Sequence, residues 1–218
     1  MGRTALDLSP VVTGMAATGA WGVLGGTFDP IHYAHLAIAE RCREDLGLAG
    51  ILFMPSGVPP HKGDQQVTPA LQRAEMVELA IAGNPRFSIS RVEIDRPGVS
   101  YTVETLQSLI GERADLVFIL SVEALLGLPT WREPNRILEL CRLAVVPRWG
   151  FTRPDPAWLA ERFPGLVDRI AFLDGPDLGN SASDIRLRAG AGHSIRYLVP
   201  DAVADYIERH HLYRGETH

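Results

Sequence analysis

The chain reads as one α/β domain, a doubly wound, mostly parallel sheet with helices on both faces. Three observations predict this class. Short apolar runs such as Ile51-Leu52-Phe53-Met54, Leu116 to Leu120 and Leu143-Ala144-Val145-Val146 are near-continuous, the pattern of strands buried on both faces. Segments of helical periodicity separate them, so strand and helix alternate along the chain. At 218 residues, with 46% apolar and 22% charged residues, the chain can bury one full core and has an ordinary globular composition.

Each element follows from local pattern. Trp21-Gly22-Val23-Leu24 is the first strand, and Gly25-Gly26 begins a turn. Leu36, Ala37, Ala39 and Leu46 mark a helix that stops at Gly47. The second strand, Ile51 to Met54, ends at Pro55, and a proline-stiffened loop runs from Ser56 to Gly63. Thr68 is expected to cap a helix opened by Pro69, with Leu71, Met76, Leu79 and Ala80 facing the core. Phe87 to Ser90 is the third strand, its apolar pattern continued by Val92 and Ile94. Thr102 is the expected N-cap of the next helix, with Thr105 on the same face. Asp115 to Leu120 is the clearest strand, followed by Ser121-Val122-Glu123 and then Leu128-Pro129-Thr130-Trp131. A helix over Pro134–Leu140, a strand over Leu143–Val146, a helix over Asp155–Phe163 and a strand over Ile170–Leu173 complete the alternation. Ser181 opens a further helix, and Pro200 starts the last.

Chemistry concentrates at Gly25-Gly26-Thr27-Phe28-Asp29-Pro30-Ile31-His32-Tyr33-Ala34-His35-Leu36. A glycine turn between strand and helix favours an anion, through free N–H groups and the helix dipole. His32 and His35, three apart, can face one ligand. Two incidental surface histidines are the plain alternative, opposed by the density of Thr, Asp, Pro and His in so short a stretch. No His-Glu-x-x-His, no Gly-Lys-Ser/Thr ending and no Gly-x-Gly-x-x-Gly is present, which sets aside a zinc pair, a P-loop and a dinucleotide fingerprint. Lys62 lies just beyond a strand's carboxyl end, where open α/β sheets bind ligands; a solvated loop lysine is its plain reading. Ser181, Ser183 and Arg186 form a second anion cradle at a helix start, or else an ordinary cap with a surface arginine. Trp131, placed after a proline in a strand-end loop, can offer its face to a flat ring. Trp21, Trp149 and Trp158 read as structural.

The net charge of −5 argues against broad nucleic-acid or membrane-surface binding. No apolar run reaches the roughly 18 residues of a bilayer span. Cys42 and Cys141, with no CxxC spacing, suit a reduced cytoplasmic setting. Residues 1–20 read as a poorly ordered extension, and residues 21–214 as the single domain; monomer and homo-oligomer both stay open.

The first motif resembles the leading signature of the nucleotidyltransferase superfamily, whose usual ending is His-x-Gly-His; Ala34 stands in the glycine position. Further along the chain, in order, Pro59-Pro60-His61-Lys62, Tyr101-Thr102-x-x-Thr105-Leu106, Leu128-Pro129-Thr130-Trp131 and Ser181-x-Ser183-x-Ile185-Arg186 are similar to elements of the nicotinate-nucleotide adenylyltransferase family. Where that family has Gly-x-Asp after its central strand, this chain has Ser121 and Glu123. The resemblance implies a Rossmann-like nucleotidyltransferase fold and transfer of AMP from ATP to nicotinate mononucleotide. It implies catalytic roles for His32, His35 and Lys62, and ATP contacts from Gly25, Gly26, Thr27, Phe28, His32, His35, Ser181, Ser183 and Arg186. It implies mononucleotide contacts from Thr102, Thr105, Trp131 and Lys62, leaves the part of Glu123 open, and implies Mg²⁺ bound mainly through ATP with no dedicated protein metal site. Alternatives are a related enzyme with nicotinamide mononucleotide or phosphopantetheine as acceptor, and a nucleotide-binding paralogue of weak activity. The acidic charge and short chain oppose a tRNA synthetase fragment.

Overall fold

Apolar strands punctuated by glycine and proline assemble into six parallel strands in the computed structural model, which describes residues 19–57, 67–111, 115–175 and 179–214. They are β1 (Trp21–Gly26), β2 (Gly50–Pro55), β3 (Phe87–Ile89), β4 (Leu116–Ser121), β5 (Arg142–Val146) and β6 (Ile170–Phe172). Their spatial order is β3-β2-β1-β4-β5-β6. Val23 of β1 pairs with Leu52 on one side and Phe118 on the other, so β1 and β4 form the centre of the sheet.

Successive strand residues point to opposite faces, and each face has its own core. Leu24, Phe53, Ile119 and Ala144 join one core, and Val23, Leu52, Phe118 and Leu143 the other. The first is covered by α1 (Tyr33–Asp45) and α2 (Ala70–Ile81). The second is covered by α3 (Thr102–Ile110), α4 (Val122–Gly127), α5 (Pro134–Leu140) and α6 (Pro156–Arg162). Two further helices, α7 (Ala182–Gly190) and α8 (Asp201–Arg209), return to the first face through Ile185, Val203 and Ile207. Burial on both faces explains why the central strands lack a polar alternation, which edge strand β3, half-buried, does show in Phe87-Ser88-Ile89. The architecture is the Rossmann-like doubly wound sheet that the sequence predicts.

The chain winds from β1 outward to β3, then crosses back to β4 on the other side of β1. Such a reversal opens a crevice at the carboxyl ends of the two central strands.

Three local expectations change. Thr68 does not cap α2: Pro69 holds the N-cap position, and the Thr68 N–H donates to Asp29 Oδ2 at 3.2 Å. Tyr101, not Thr102, precedes the first residue of α3. Residues 92–94 form a turn closed by the Ile94 N–H on the Arg91 carbonyl, so Val92 and Ile94 do not extend β3, and Glu93 between them is buried. Among the described residues, no helix is long and apolar enough to cross a membrane.

Candidate active site

The turn after β1 is built on Phe28. Its backbone is left-handed (φ 50°), which costs a bulky residue on the order of 1 kcal/mol. The ring goes under the turn, 2% exposed, edge-on to His35 at 5.0 Å and tilted against Phe53 at 5.9 Å. A Cβ at Gly26 would lie 3.1 Å from that ring, which is why glycine suits the position. The Phe28 side chain therefore belongs to the core, which leaves an ATP contact to its backbone. Its side chain is absent from the cavity wall and supports His35 from below.

Asp29, 3% exposed, anchors the same turn to distant parts of the chain. Its carboxylate accepts from the Tyr213 hydroxyl at 2.8 Å as well as from Thr68, and its carbonyl accepts from Arg186 Nη1 at 2.7 Å.

His32 and His35 stack with ring centroids 3.7 Å apart and planes 25° from parallel. Both line a cavity of about 1030 Å³ at the carboxyl ends of the strands. The His32 backbone N–H donates to His35 Nδ1 at 3.3 Å, so a neutral His35 carries its proton on Nε2. Burial, helped by the Arg148 charge, lowers the His32 pKa to about 4. Burial also holds His35 well below its ordinary value, with His32 and Arg148 acting the same way. At neutral pH the pair is two uncharged imidazoles. His32 Nδ1 is buried with no hydrogen-bond partner among the described residues.

Other strand ends supply the remaining wall. Gly25, Gly26 and Thr27 line it beneath the histidines, and Ala34 presents its methyl group in the former glycine position. Ser56 follows β2. Gly57 runs so close to Glu93 that a Cβ would meet the Glu93 carbonyl at 2.2 Å. Lys62 lies outside the described residues. Ser121 caps α4, accepting from the Ala124 N–H at 3.2 Å with φ −79°, an extended backbone that needs no glycine. Glu123 faces the cavity and pairs with Arg148 at 3.4 Å.

Trp131 lines the cavity with its ring edge-on to Phe118 at 6.4 Å. The next residue, Arg132, ties that loop to α3, 2.9 Å from Glu104 and 4.6 Å above the Tyr101 ring. This brings Trp131 beside Thr102, which also lines the cavity. Thr105 departs from expectation. It is fully buried, its hydroxyl donates to Glu93 Oε1 at 2.9 Å, and Glu93 rather than Thr105 reaches the wall. Burial raises the Glu93 pKa, partly offset by the bonds it accepts. Thr105 faces inward because every fourth position of α3 packs on the sheet.

In the second cradle, Ser181 lines the cavity and caps α7 through the Asp184 N–H at 3.1 Å. Ser183 and Arg186 are not on the wall. Arg186 is bonded to Ser183 Oγ at 3.2 Å and to the Asp29 carbonyl, which sets it against the back of the first turn, on the same side of the sheet. Several wall residues escaped the sequence reading, Ser56, Glu93, Arg132, Arg148 and Trp149 among them. Arg148 follows β5 as Lys62 follows β2, and that position was its available signal. Trp149, read as structural, is 80% exposed and lines the cavity mouth. Trp158 does pack structurally, edge-on to Phe163 at 6.1 Å.

Among the described residues, no group of three or more His, Cys, Asp or Glu side chains is placed to hold a metal ion. What the cavity offers is neutral N–H donors, two arginines (Arg132 and Arg148, paired with Glu104 and Glu123), the carboxyl groups of Glu93 and Glu123, helix N-termini and an aromatic face, a set that can take a phosphorylated ligand with a flat ring.

The chain matches the Cytidylyltransferase-like family over residues 23–188. It is 47% identical over 195 residues to a Thermomicrobium roseum protein named as a probable nicotinate-nucleotide adenylyltransferase, covering 88% of this chain and 91% of that one. A protein of the same name from a Roseiflexus species is 50% identical, with 88% and 97% covered. The fold is shared with the Plasmodium falciparum nicotinic acid mononucleotide adenylyltransferase complexed with NaAD, at a TM-score of 0.73 and 17% identity, covering 89% of this chain and 97% of that chain. With that length of match at that identity, the chain belongs to the nicotinate-nucleotide adenylyltransferase family of nucleotidyltransferases.

Proposed function

We propose that this chain transfers AMP from ATP to nicotinate mononucleotide, giving nicotinate adenine dinucleotide and pyrophosphate, as a cytoplasmic step of NAD biosynthesis. The single observation that carries the reading is the meeting, in one cavity, of the stacked His32–His35 pair with Trp131 and the start of α3. A phosphate oxygen of the mononucleotide attacks the α-phosphorus of ATP, forming the new P–O bond. The bond to the bridging oxygen breaks, and pyrophosphate leaves with the electron pair. A phosphate monoester is already an anionic nucleophile, so the protein supplies position and charge stabilisation.

His35 Nε2–H donates to the reacting phosphates, and His32 acts beside it. As neutral donors they add no charge, so Arg148 and Lys62 provide it. Ser181 takes phosphate oxygens at the α7 N-terminus, while Arg186 and Ser183 hold that cradle to the first turn. Mg²⁺ would be held mainly by the ATP phosphates and would supply further neutralisation of their charge. On the acceptor side, Trp131 stacks on the pyridine ring, and a pyridinium there gains about 0.5–2 kcal/mol. The backbone N–H groups at the start of α3, beside Thr102, receive the pyridine carboxylate, and Thr105 acts only through Glu93.

The test is incubation with ATP, Mg²⁺ and either nicotinate or nicotinamide mononucleotide, with the dinucleotide identified by mass. Nicotinate adenine dinucleotide with equimolar pyrophosphate is expected. Nucleotide binding without pyrophosphate release, or product from the amide alone, would refute the assignment.

A further inference from the structure

We propose that Arg73, which does not line the cavity, is a positioning residue that sets the turn after β1 and the loop after β2 at a fixed spacing for the triphosphate. Arg73 is 1% exposed in the first turn of α2. Nη1 donates to the Thr27 carbonyl at 2.6 Å, Nη2 to the Ser56 and Gly57 carbonyls at 2.7 and 3.0 Å, and Nε to the Thr68 carbonyl at 2.8 Å. Thr27 and Ser56 are wall residues from different strand ends.

A buried charge is a costly way to fill space. An apolar side chain of the same volume is often as stabilising or more so, so packing alone does not account for arginine here. What arginine adds is a rigid planar fork of five N–H groups that can hold several carbonyls at set separations. Lysine, with one ammonium point, cannot span them. The peptide plane carries the constraint to the cavity. With the Thr27 carbonyl turned onto Arg73, the Phe28 N–H must lie on the opposite edge of the same planar unit, and the Gly57 N–H is set likewise by Ser56. Asp29 extends the brace, because Thr68 is bonded both to its carboxylate and to Arg73.

The inference rests on assigning the Thr27 turn to ATP, and the experiment separates the two. In the full chain, Arg73→Lys and Thr27→Ala are compared with the unaltered protein for thermal midpoint, kcat and both Michaelis constants, each assayed well below its own midpoint. Arg73→Lys is expected to raise KM for ATP and lower kcat by about tenfold together, with KM for the mononucleotide within about twofold. A lower midpoint with kcat and both constants unmoved would reduce Arg73 to a core strut, and an equal rise in both constants would also overturn the proposal. If Thr27→Ala leaves KM for ATP unmoved, the turn's assignment is what fails. Should Arg73→Lys not fold, backbone 15N relaxation on the unaltered chain decides. The Phe28 and Gly57 N–H vectors are expected to be as ordered without ATP as with it. Disorder there that disappears only when ATP binds would refute a preset spacing.

Discussion

Acid should weaken this fold through the histidine pair, and the size of the effect can be worked from His32. In the folded chain its pKa is about 4, whereas an unfolded histidine titrates near 6.5. As pH falls below 6.5 the unfolded chain takes up the proton first, so the stabilising contribution is complete above about pH 6.5 and drains away down to about 4. One site with these two constants loses about 2 kcal/mol at pH 5 and about 3 kcal/mol at pH 4. His35 acts in the same direction, because the rings stack at 3.7 Å and a proton on one disfavours a proton on the other. The assay is urea unfolding at pH 7.5, 6 and 5 for the unaltered chain and His32→Gln, whose difference cancels the carboxylates common to both. The unaltered chain should lose about 2 kcal/mol more than His32→Gln between the extremes. Parallel pH dependences, or a His32 proton titrating near 6.5 by NMR, would refute the burial argument.

His35→Ala should lower kcat by about 10²-fold while the thermal midpoint moves little, since the lost group is an N–H donor to the transition state; an unchanged kcat removes it from the chemistry. Trp131→Ala should raise KM for the mononucleotide roughly 2- to 30-fold, the range of a cation–π contact, and leave ATP alone; equal rises would refute stacking on the pyridine. Tyr213→Phe should cost about 1–3 kcal/mol in denaturant unfolding, because Asp29 keeps its buried carboxylate but loses a donor. Unaltered stability would mean that the C-terminal tyrosine does not brace the turn.

What the sequence determined by itself was whatever depends on neighbours along the chain. Six apolar runs between turn residues are enough for a parallel, twice-covered sheet, because burial on both faces removes the polar alternation. The strand–glycine–helix order placed His32 and His35 at a helix start, and the three-residue spacing made their stacking a local outcome. Ser181 as a cap was legible for the same reason. Only the tertiary structure decided which way side chains with two possible partners turned. Phe28 sits in the fourth position of an apparent phosphate loop, yet the core beneath it takes the ring. Thr105 matches a ligand motif, yet the buried Glu93 carboxylate claims its hydroxyl. Arg73 looks like any arginine in a short helix; four carbonyls from separate segments give it its place. Asp29 meets Arg186 and Tyr213 across separations of 157 and 184 residues, contacts that exist only once the sheet has brought its strand ends together. Local periodicity carries no information about such pairs, because their energy comes from desolvated groups finding partners in three dimensions.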